Sequence, residues 1–425
     1  MKKIVLSIAA VMAAAAFAPE ASAVPVFARQ TGMACSACHF QHFPLLNGFG
    51  RAFKAAGFTM MGAQAKVEGE HLDLPATLNM GVLTTTVFQR QDNNNGAAPK
   101  WSVPGTGGEL SLFFGGRIAE FAGFIAEAGL GGNGVANVGG VVGAAKLALL
   151  FPVGDARVGL VAHSSNGQGV AYSFETLNTG AVNTHKMNAQ NGPNKQHQGV
   201  YSASQYFNTA TPATGISLVA NNDMGFVVLG KYEQAGNALV GGANTMPLTY
   251  VRAAATIDLA GFETGFGIQN FSGSSSVTGA VTKATIIDGQ MQGEVAGMPA
   301  GFYASYGRAP AVTAVASTLP NANPGFVVGN SGGMIASAVG AVAASSFNIG
   351  AEIGIIPHIS TLQLAFRSAK NHGNLTDNAV MVGATYELAQ NIELSLTHTA
   401  QSGGAWNAAL PLGKTATTLM MEALF

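Results

Sequence analysis

Short segments with alternating apolar and polar residues repeat along the chain from about Thr77 to the last residue. This alternation has the period of two that places successive side chains on opposite faces of a β-strand. The connections between the segments are alternately long and short, which is typical of an outer-membrane barrel with long external loops and tight periplasmic turns. The pattern predicts a mostly β protein, an antiparallel barrel of about sixteen strands.

Individual strands and turns can be assigned from the turn residues. The first five strands are predicted at residues 77–90, 109–118, 121–130, 140–150 and 156–163, and the last at 415–425. Tight turns are predicted at residues 152–155, 221–223, 258–261, 297–300, 357–358 and 389–391. The terminal Phe425 is typical of a bacterial barrel-insertion signal. A soluble β-solenoid or an autotransporter passenger would also alternate, but no fixed repeat period is present.

The composition favours a membrane surface over a soluble one. Only 10% of the 425 residues are charged, whereas soluble domains average about 25%. Hydrophobic residues make up 48%, yet after residue 23 no uninterrupted apolar segment approaches the roughly 18 residues of a transmembrane helix. A closed barrel can present these apolar residues to lipid while it pairs every backbone group between strands.

The first 23 residues are organised like a secretory signal peptide. Two lysines precede an apolar run at residues 4–17, and residues 21–23, Ala-Ser-Ala, form a small-residue cleavage pattern. The run is too short for a retained transmembrane anchor, so the mature chain is expected to begin at Val24. Without the two lysines and Glu20 the net charge is −2, which gives no bulk electrostatic attraction to nucleic acid.

The segment Cys35-Ser36-Ala37-Cys38-His39 contains both cysteines of the chain and a histidine, in the arrangement that attaches a c-type haem. Cys35 and Cys38 can form thioethers to the haem vinyl groups, and His39 can be the proximal iron ligand. A redox disulfide or a zinc half-site would leave His39 unexplained, and zinc would need a second ligand pair. The motif predicts one covalently bound haem c and one-electron chemistry.

A helix is predicted between Pro44 and Gly57, residues suited to its start and its end. Five apolar residues share one face of it and could cover the porphyrin or pack on the barrel interior. They are Leu45, Phe49, Ala52, Phe53 and Ala56. Roughly fifty residues are too few to enclose a haem together with a core of their own. Residues 24–76 are therefore expected to form a small α-helical monohaem cytochrome segment that plugs the lumen of a barrel formed by residues 77–425.

Residues 25–58 resemble the outer-membrane fused monohaem cytochrome-porins of iron-oxidising bacteria. The matching residues are Pro25-Val26-Phe27-Ala28-Arg29, the Cys-x-x-Cys-His motif, Pro44-x-Leu46-Asn47-x-x-Gly50, Phe53 and Gly57-Phe58. The resemblance implies an outer-membrane location and haem ligation by Cys35, Cys38 and His39. It also implies electron flow from extracellular Fe(II), or another donor, to periplasmic c-type cytochromes or other carriers, with Fe(II) oxidation as the associated activity.

The sequence leaves the second axial ligand of the iron open. Met60 or Met61, just beyond the predicted helix, would raise the haem potential relative to bis-histidine ligation and would suit acceptance of electrons from iron. His71 and open coordination are alternatives. His42 follows His39 too closely to reach the opposite haem face.

Other charged residues have both structural and functional interpretations. Arg29, Arg51 and Lys54 could pair with haem propionates, although such residues commonly face lumen water. Most charged residues on the predicted strands are expected to face the lumen, because charge on the lipid side is costly near the midplane. They are Glu109, Arg117, Glu120, Glu127, Arg157, Lys231, Arg252, Glu263, Glu352, Arg367 and Glu422.

The longest connection follows His163 and reaches residue 213. His163, His185 and His197 suggest an iron site weakly, because Glu175 is the only carboxylate of the connection. A solvated loop, or one folded into the lumen as a constriction, is favoured.

The sequence therefore predicts an outer-membrane cytochrome-porin that carries electrons through one haem c. Two alternatives stay open: a solute porin with a haem-containing sensor or gate, and a barrel scaffold for a separate multihaem cytochrome. Motifs of hydrolases and transferases are absent from the sequence.

Overall fold

The computed structural model describes the chain from Val26 to Phe425 with several gaps. The residues outside the description are 1–25, 63, 71, 93–98, 131–141, 166–167, 180–201, 208, 210–211, 235–244, 277–280, 312–341, 372 and 406–413. The predicted signal peptide, Val24, His71, His185 and His197 all lie outside the described residues.

The N-terminal residues 26–78 form two helices and a hairpin before the barrel begins. The elements are α1 (Val26–Thr31), a 3-10 turn (Cys35–Ala37), α2 (Gly48–Ala55), β1 (Lys66–Gly69) and β2 (Leu72–Pro75). Helix α2 starts at Gly48 and not at Pro44, because the Asn47 side chain caps it by accepting a hydrogen bond from the Gly50 N–H at 2.9 Å. Helix α1 and the β1–β2 hairpin were not predicted from the sequence.

A closed antiparallel barrel follows, with short helical elements inside it. Its strands are β3 (Asn79–Asp92), β4 (Lys100–Pro104), β5 (Gly107–Gly108), β6 (Leu110–Ala119), β7 (Ala122–Gly129), β8 (Val142–Val153), β9 (Ala156–Ser165), β10 (Ala213–Asn222), β11 (Gly225–Glu233), β12 (Leu248–Leu259), β13 (Phe262–Ser272), β14 (Ala284–Val295), β15 (Met298–Ala309), β16 (Ala344–Ile356), β17 (Ser360–Lys370), β18 (Thr376–Ala389), β19 (Ile392–Ser402) and β20 (Thr415–Leu424). The last strand, β20, pairs with β3, and β3 pairs with β6, so the sheet closes on itself. The short β4 and β5 are additions beside β3, which leaves sixteen wall strands and confirms the predicted barrel.

Tight turns join the strand pairs β6–β7, β8–β9, β10–β11, β12–β13, β14–β15, β16–β17 and β18–β19 at one end of the barrel. This end, called the turn end below, is the periplasmic end of an outer-membrane barrel. The turn predicted at 297–300 was placed too late, because Ala300 already pairs within β15. The turn residues are Ala296 and Gly297, with φ of 52° and 77°, the left-handed values that a two-residue hairpin turn requires.

The two faces of the wall differ as a membrane barrel requires. Outward side chains are apolar and exposed, as for Leu218, Leu364 and Val382, each more than half exposed. Inward side chains are frequently polar and buried, such as Gln269 and Asn348. In the described part of the chain, no helix has the length and apolar character needed to cross a bilayer.

The charged residues on the strands face the lumen as predicted, with two exceptions. Arg252, Glu352, Arg367 and Glu422 are buried inside the barrel. Glu120 instead lies in a tight turn with its side chain 86% exposed. Lys231 faces outward near the loop end, where its ammonium donates to the Thr249 hydroxyl at 2.9 Å.

A part of the long connection folds into the lumen. This inner segment comprises residues 168–179 and 202–207, including a 3-10 turn (Val170–Tyr172) and α3 (Ala203–Tyr206). Phe174, Leu177 and Phe207 are almost fully buried and join an apolar cluster with barrel-wall residues such as Tyr250 and Phe271. The expectation of a lumenal constriction is confirmed for these residues. His163 lies on β9 and points inward, so it is not part of a surface loop.

Candidate functional site

The N-terminal residues 26–62, called the plug below, lie inside the barrel ring. Arg51 of α2 donates to the Gln292 side chain on β14 at 2.7 Å and forms an ion pair with Glu263 on β13 at 2.5 Å. On another side, the Gln30 side chain accepts a hydrogen bond from the Arg117 N–H on β6 at 3.1 Å. Contacts to strands on different sides of the ring place the plug in the lumen at the turn end.

A buried cluster around His42 fastens the plug to β16. The His42 Nε2 atom lies 2.8 Å from a Glu352 carboxylate oxygen, and the Tyr303 hydroxyl donates to the other oxygen at 2.6 Å. Burial by itself would lower the pKa of His42, but the charge and hydrogen bond of Glu352 raise it to about 9. His42 is therefore charged at neutral pH and forms an ion pair with the wall.

Docking of the plug should weaken at alkaline pH because of this pair. The ordinary pKa of histidine is about 6.5, so the stabilisation is complete below that pH and is lost as the pH rises through about 9. We expect a loss of up to about 3 kcal/mol between pH 7 and pH 10. The measurement is the rate of limited proteolysis of the plug against pH in the full-length protein. The Glu352→Gln variant should show faster cleavage at pH 7 and a flat profile to pH 10, and an unchanged slope would contradict this assignment.

Cys35, Cys38 and His39 line one cavity between the plug and the barrel wall. On the plug side, the Phe27 ring stacks on Phe58 at 4.9 Å between ring centres and meets Phe53 edge-on at 5.0 Å. All three rings line the cavity together with wall residues Leu83 and Phe113 and with Tyr172 of the inner segment. The arrangement is an apolar chamber with two thiols and one imidazole on its surface.

Asn47 and Gly50 hold the Cys-x-x-Cys-His turn against α2. The Asn47 N–H donates to the Cys38 carbonyl at 3.0 Å, and its side-chain amide donates to the Ala37 carbonyl at 3.0 Å. A Cβ atom on Gly50 would lie 2.1 Å from the Cys38 carbonyl oxygen, so only glycine allows this close approach. The spacing of Asn47 and Gly50 from the motif thus has a direct structural reason.

The His39 imidazole is arranged as a neutral ligand. Its Nδ1 atom lies 3.2 Å from the Leu45 carbonyl oxygen, so a proton on Nδ1 would be donated there and Nε2 would keep its lone pair. Burial lowers the pKa of His39 to about 4, although hydrogen bonds to backbone groups near Leu45 oppose this shift. The imidazole is therefore neutral at physiological pH, the form that binds a metal.

The thiols do not have the environment of a redox disulfide. Burial raises the pKa of the Cys35 thiol to about 11, and the neighbouring Glu387 and Cys38 add to the shift. Catalytic Cys-x-x-Cys pairs have a lowered thiol pKa. No group of three or more His, Cys, Asp and Glu side chains among the described residues is placed to hold a metal ion. The donor set and the apolar chamber fit a covalently attached haem.

The predicted distal ligands are not brought to this cavity. Met60 and Met61 are not among its lining residues, and the Met60 carbonyl accepts from the Gln30 side chain at 2.8 Å. The reason is a chain reversal at Gly57 and Phe58, with φ of 72° and 67°, which turns the chain back towards α1. The arrangement therefore gives no support to Met60 or Met61. Met33, which the sequence reasoning missed, does line the cavity.

The face of α2 towards the cavity agrees with the predicted one in part. Of the five predicted residues, Phe53 lines the cavity and Leu45 and Ala56 are buried, whereas Phe49 is 39% exposed and Ala52 is exposed. The other α2 residues at the cavity are Gly50 and Lys54, while Arg51 is directed to the wall by its ion pair and hydrogen bond. Of the three cations considered for haem propionates, Lys54 alone lines the cavity, because Arg29 donates to the Met80 carbonyl and Arg51 to the wall.

These features define an outer-membrane β-barrel of the sixteen-stranded porin architecture. The outward apolar faces need hydrocarbon around them, which places the protein in the bacterial outer membrane.

Comparison with solved structures agrees on the fold. The chain is similar to OprB of Pseudomonas putida in its high-pH structure, with a TM-score of 0.54, 9% identity, and coverage of 82% of this chain and 94% of that chain. It is also similar to an anion-selective porin from Comamonas acidovorans, with a TM-score of 0.50, 10% identity, and coverage of 82% and 99%. No family model and no curated protein matches the chain.

Proposed function

We propose that this protein is an outer-membrane cytochrome-porin that moves electrons across the outer membrane through one haem c, from extracellular Fe(II) or another donor to periplasmic carriers. The main support is that Cys35, Cys38 and His39 line a single lumenal cavity, with His39 held by the Leu45 carbonyl. When bound, a haem c supplies one-electron redox chemistry. The resemblance of residues 25–58 to cytochrome-porins agrees with this proposal.

The residues of the chain have separable tasks in this proposal. Cys35 and Cys38 would hold the porphyrin through thioethers, and His39 would ligate the iron with Nε2. The Phe27, Phe53 and Phe58 rings exclude water from one side of the cavity. Exclusion of water lowers the local dielectric, which strengthens the influence of nearby charges on the redox potential.

The position of the cavity favours delivery to the periplasm. The Cys35 sulfur lies 3.8 Å from the Asn391 side-chain oxygen, in the tight turn between β18 and β19. The Cys35 thiol is therefore near the periplasmic end of the barrel, where a haem attached to it would be within reach of a soluble carrier. Gln168 and Tyr172 of the inner segment also line the cavity.

A solute porin is the second candidate, favoured by the porin architecture of the wall. The filled lumen weighs against it, because the plug and the inner segment both occupy space that a diffusing solute would need. The same occupancy disfavours a scaffold for a separate multihaem wire in the described part of the lumen.

A sided redox experiment tests the proposal. Full-length protein matured in a host that attaches haem c is inserted into lipid vesicles, and Fe(II) is added on the side of the outer loops. We expect a pyridine haemochrome band of one haem per chain and reduction of that haem by Fe(II). Absence of the band would overturn the proposal. A haem that Fe(II) does not reduce would remove Fe(II) as the donor, and rapid solute flux independent of haem would favour the porin.

A further inference from the structure

Two lysines from different elements meet at the wall of the cavity that carries the Cys-x-x-Cys-His motif. Lys54 comes from α2 of the plug, and Lys146 comes from β8 of the barrel. Lys146 is seven residues above the turn at Val153, about 23 Å along the strand. Cys35, by contrast, is next to the turn residue Asn391. The cavity thus extends from the thiols near the turn end towards the two amines deeper in the lumen.

Lys146 is buried in a largely aromatic setting. It is only 6% exposed, and its ammonium lies 4.2 Å from the centre of the Tyr172 ring and 5.4 Å from that of Phe58. Among the described residues, its ammonium donates one hydrogen bond, to the Tyr172 carbonyl at 2.8 Å. An ammonium has three donors, and a buried ammonium is costly without an anion nearby.

The second lysine adds another amine to the cavity wall. Burial lowers the pKa of Lys54 to about 8, and Glu175 opposes this shift in part. His163 is the strand neighbour of Lys146 on β9 and is also buried. His163 is not a lining residue of the cavity, so among the described residues its basic groups are the two lysine amines and the neutral His39 imidazole.

Glu109 and Glu127 also line this cavity and accept hydrogen bonds from neutral side chains. Glu127 accepts from the Gln168 side chain at 2.9 Å, and the single Ser111 hydroxyl lies 3.2 Å from an oxygen of both Glu127 and Glu109. Glu175 forms an ion pair with Arg252 at 2.9 Å. An additional anion in the cavity could therefore pair with the ammonium groups of the two lysines.

Haem brings two such anions with it. Its two propionate carboxylates leave the porphyrin on the edge remote from the vinyl groups that react with cysteine. If the thioether edge is fixed near the turn end and the porphyrin follows the cavity, the propionate edge would face Lys54 and Lys146. Carboxylate and ammonium form strong charge-assisted hydrogen bonds in a water-poor site.

We propose that Lys54 and Lys146 form a carboxylate-binding subsite that holds the two haem propionates and so fixes the orientation of the haem along the barrel axis. This inference rests on the proposed function. It assigns Lys146 a positioning role that a lumen-facing lysine would not otherwise have.

Infrared difference spectroscopy of the full-length holoprotein tests the subsite. The haem is labelled with ¹³C in the propionate carboxylates, and oxidised-minus-reduced spectra are compared for wild type, Lys54→Met, Lys146→Met and the control Lys231→Met, whose lysine faces outward. We expect a shift of the labelled carboxylate bands in the two cavity variants and none in the control. At the wild-type midpoint potential, the ferric-to-ferrous ratio should rise about threefold or more in the cavity variants, because a nearby positive charge is lost.

The other outcomes are decisive as well. Labelled bands identical to those of the control would overturn the subsite, even with a shifted potential, because the lysines would then act only through space. Loss of a low-spin spectrum in either cavity variant would assign that lysine to the iron and also overturn it. A wild-type protein without haem would overturn the proposed function itself, which the haemochrome band reports separately. Heat-modified gel mobility identifies any variant that fails to fold, and each cavity variant can decide the result alone.

Discussion

Replacing both Cys35 and Cys38 with alanine is expected to abolish covalent haem and with it all Fe(II)-dependent reduction of the protein. Each thiol can form one thioether, so the single variants should keep a haem attached by one bond, whereas the double variant has none. The haem remaining after acid–acetone extraction should fall at least about a hundredfold in the double variant, since no other cysteine exists in the chain. The covalently bound haem is measured by pyridine haemochrome spectra and by haem staining of denaturing gels.

The control for this experiment is Ser36→Ala, which changes an exposed residue of the same turn. It should retain haem at the wild-type level. The barrel should fold in all four variants, because the wall strands pair with each other and not with the motif. Covalent haem in the double variant, or normal electron transfer without it, would contradict the assignment.

Replacing Arg252 with alanine is expected to release the inner segment and open the lumen. The guanidinium is fully buried, donates to both oxygens of Asp288 at 2.6 and 2.9 Å, and pairs with Glu175 of the inner segment at 2.9 Å. Removing it leaves two buried carboxylates without a cation, which typically costs about 3–5 kcal/mol. Gly267 underlies the guanidinium, and a Cβ there would lie 2.0 Å from Nη1. The cost is relieved when Glu175 moves into water and takes the inner segment with it.

Planar-bilayer recordings and proteolysis measure this effect. Single-channel conductance of Arg252→Ala should exceed the wild-type value several-fold, and the inner segment should become cleavable from the loop side. The control Lys231→Ala also removes a cation from a strand, but at an exposed site. It should leave the conductance and the protection of the inner segment unchanged. If Arg252→Ala shows wild-type conductance and its inner segment stays protected, other bonds are enough to hold the segment in the lumen. One such bond is donated by the Asn178 N–H to the Gln290 side chain at 2.7 Å.

The barrel was predictable from sequence because the membrane imposes a simple rule on it. Every second wall residue meets lipid, so the period of two is present in nearly every strand, and tight turns concentrate Gly, Asn and Asp. The β1–β2 hairpin was missed because all four residues of β1 are exposed and carry no alternating pattern. Helix α1 was missed because six residues are too few for a periodic signal.

The site was predictable only where chemistry determines the spacing of residues. The Cys-x-x-Cys-His motif is local, so its residues could be named and their common cavity is observed. Lys146 and Tyr172 reach the same cavity through barrel closure and loop folding, which leave no local pattern. Met60 and Met61 were predicted from their thioether chemistry and their place just beyond the helix, and the chain reversal at Gly57 is a tertiary feature that this reasoning did not include.

The filled lumen has a consequence for the cell. A barrel of this diameter would normally admit nutrients, toxins and antibiotics of low molecular weight, whereas this one is occupied from both ends by its own chain. If the proposed electron transfer takes place, electrons would cross the envelope while the occupied lumen holds back dissolved molecules. A bacterium could make many copies of the protein without sacrificing the permeability barrier, and any insoluble product of a reaction at the cell surface would stay outside.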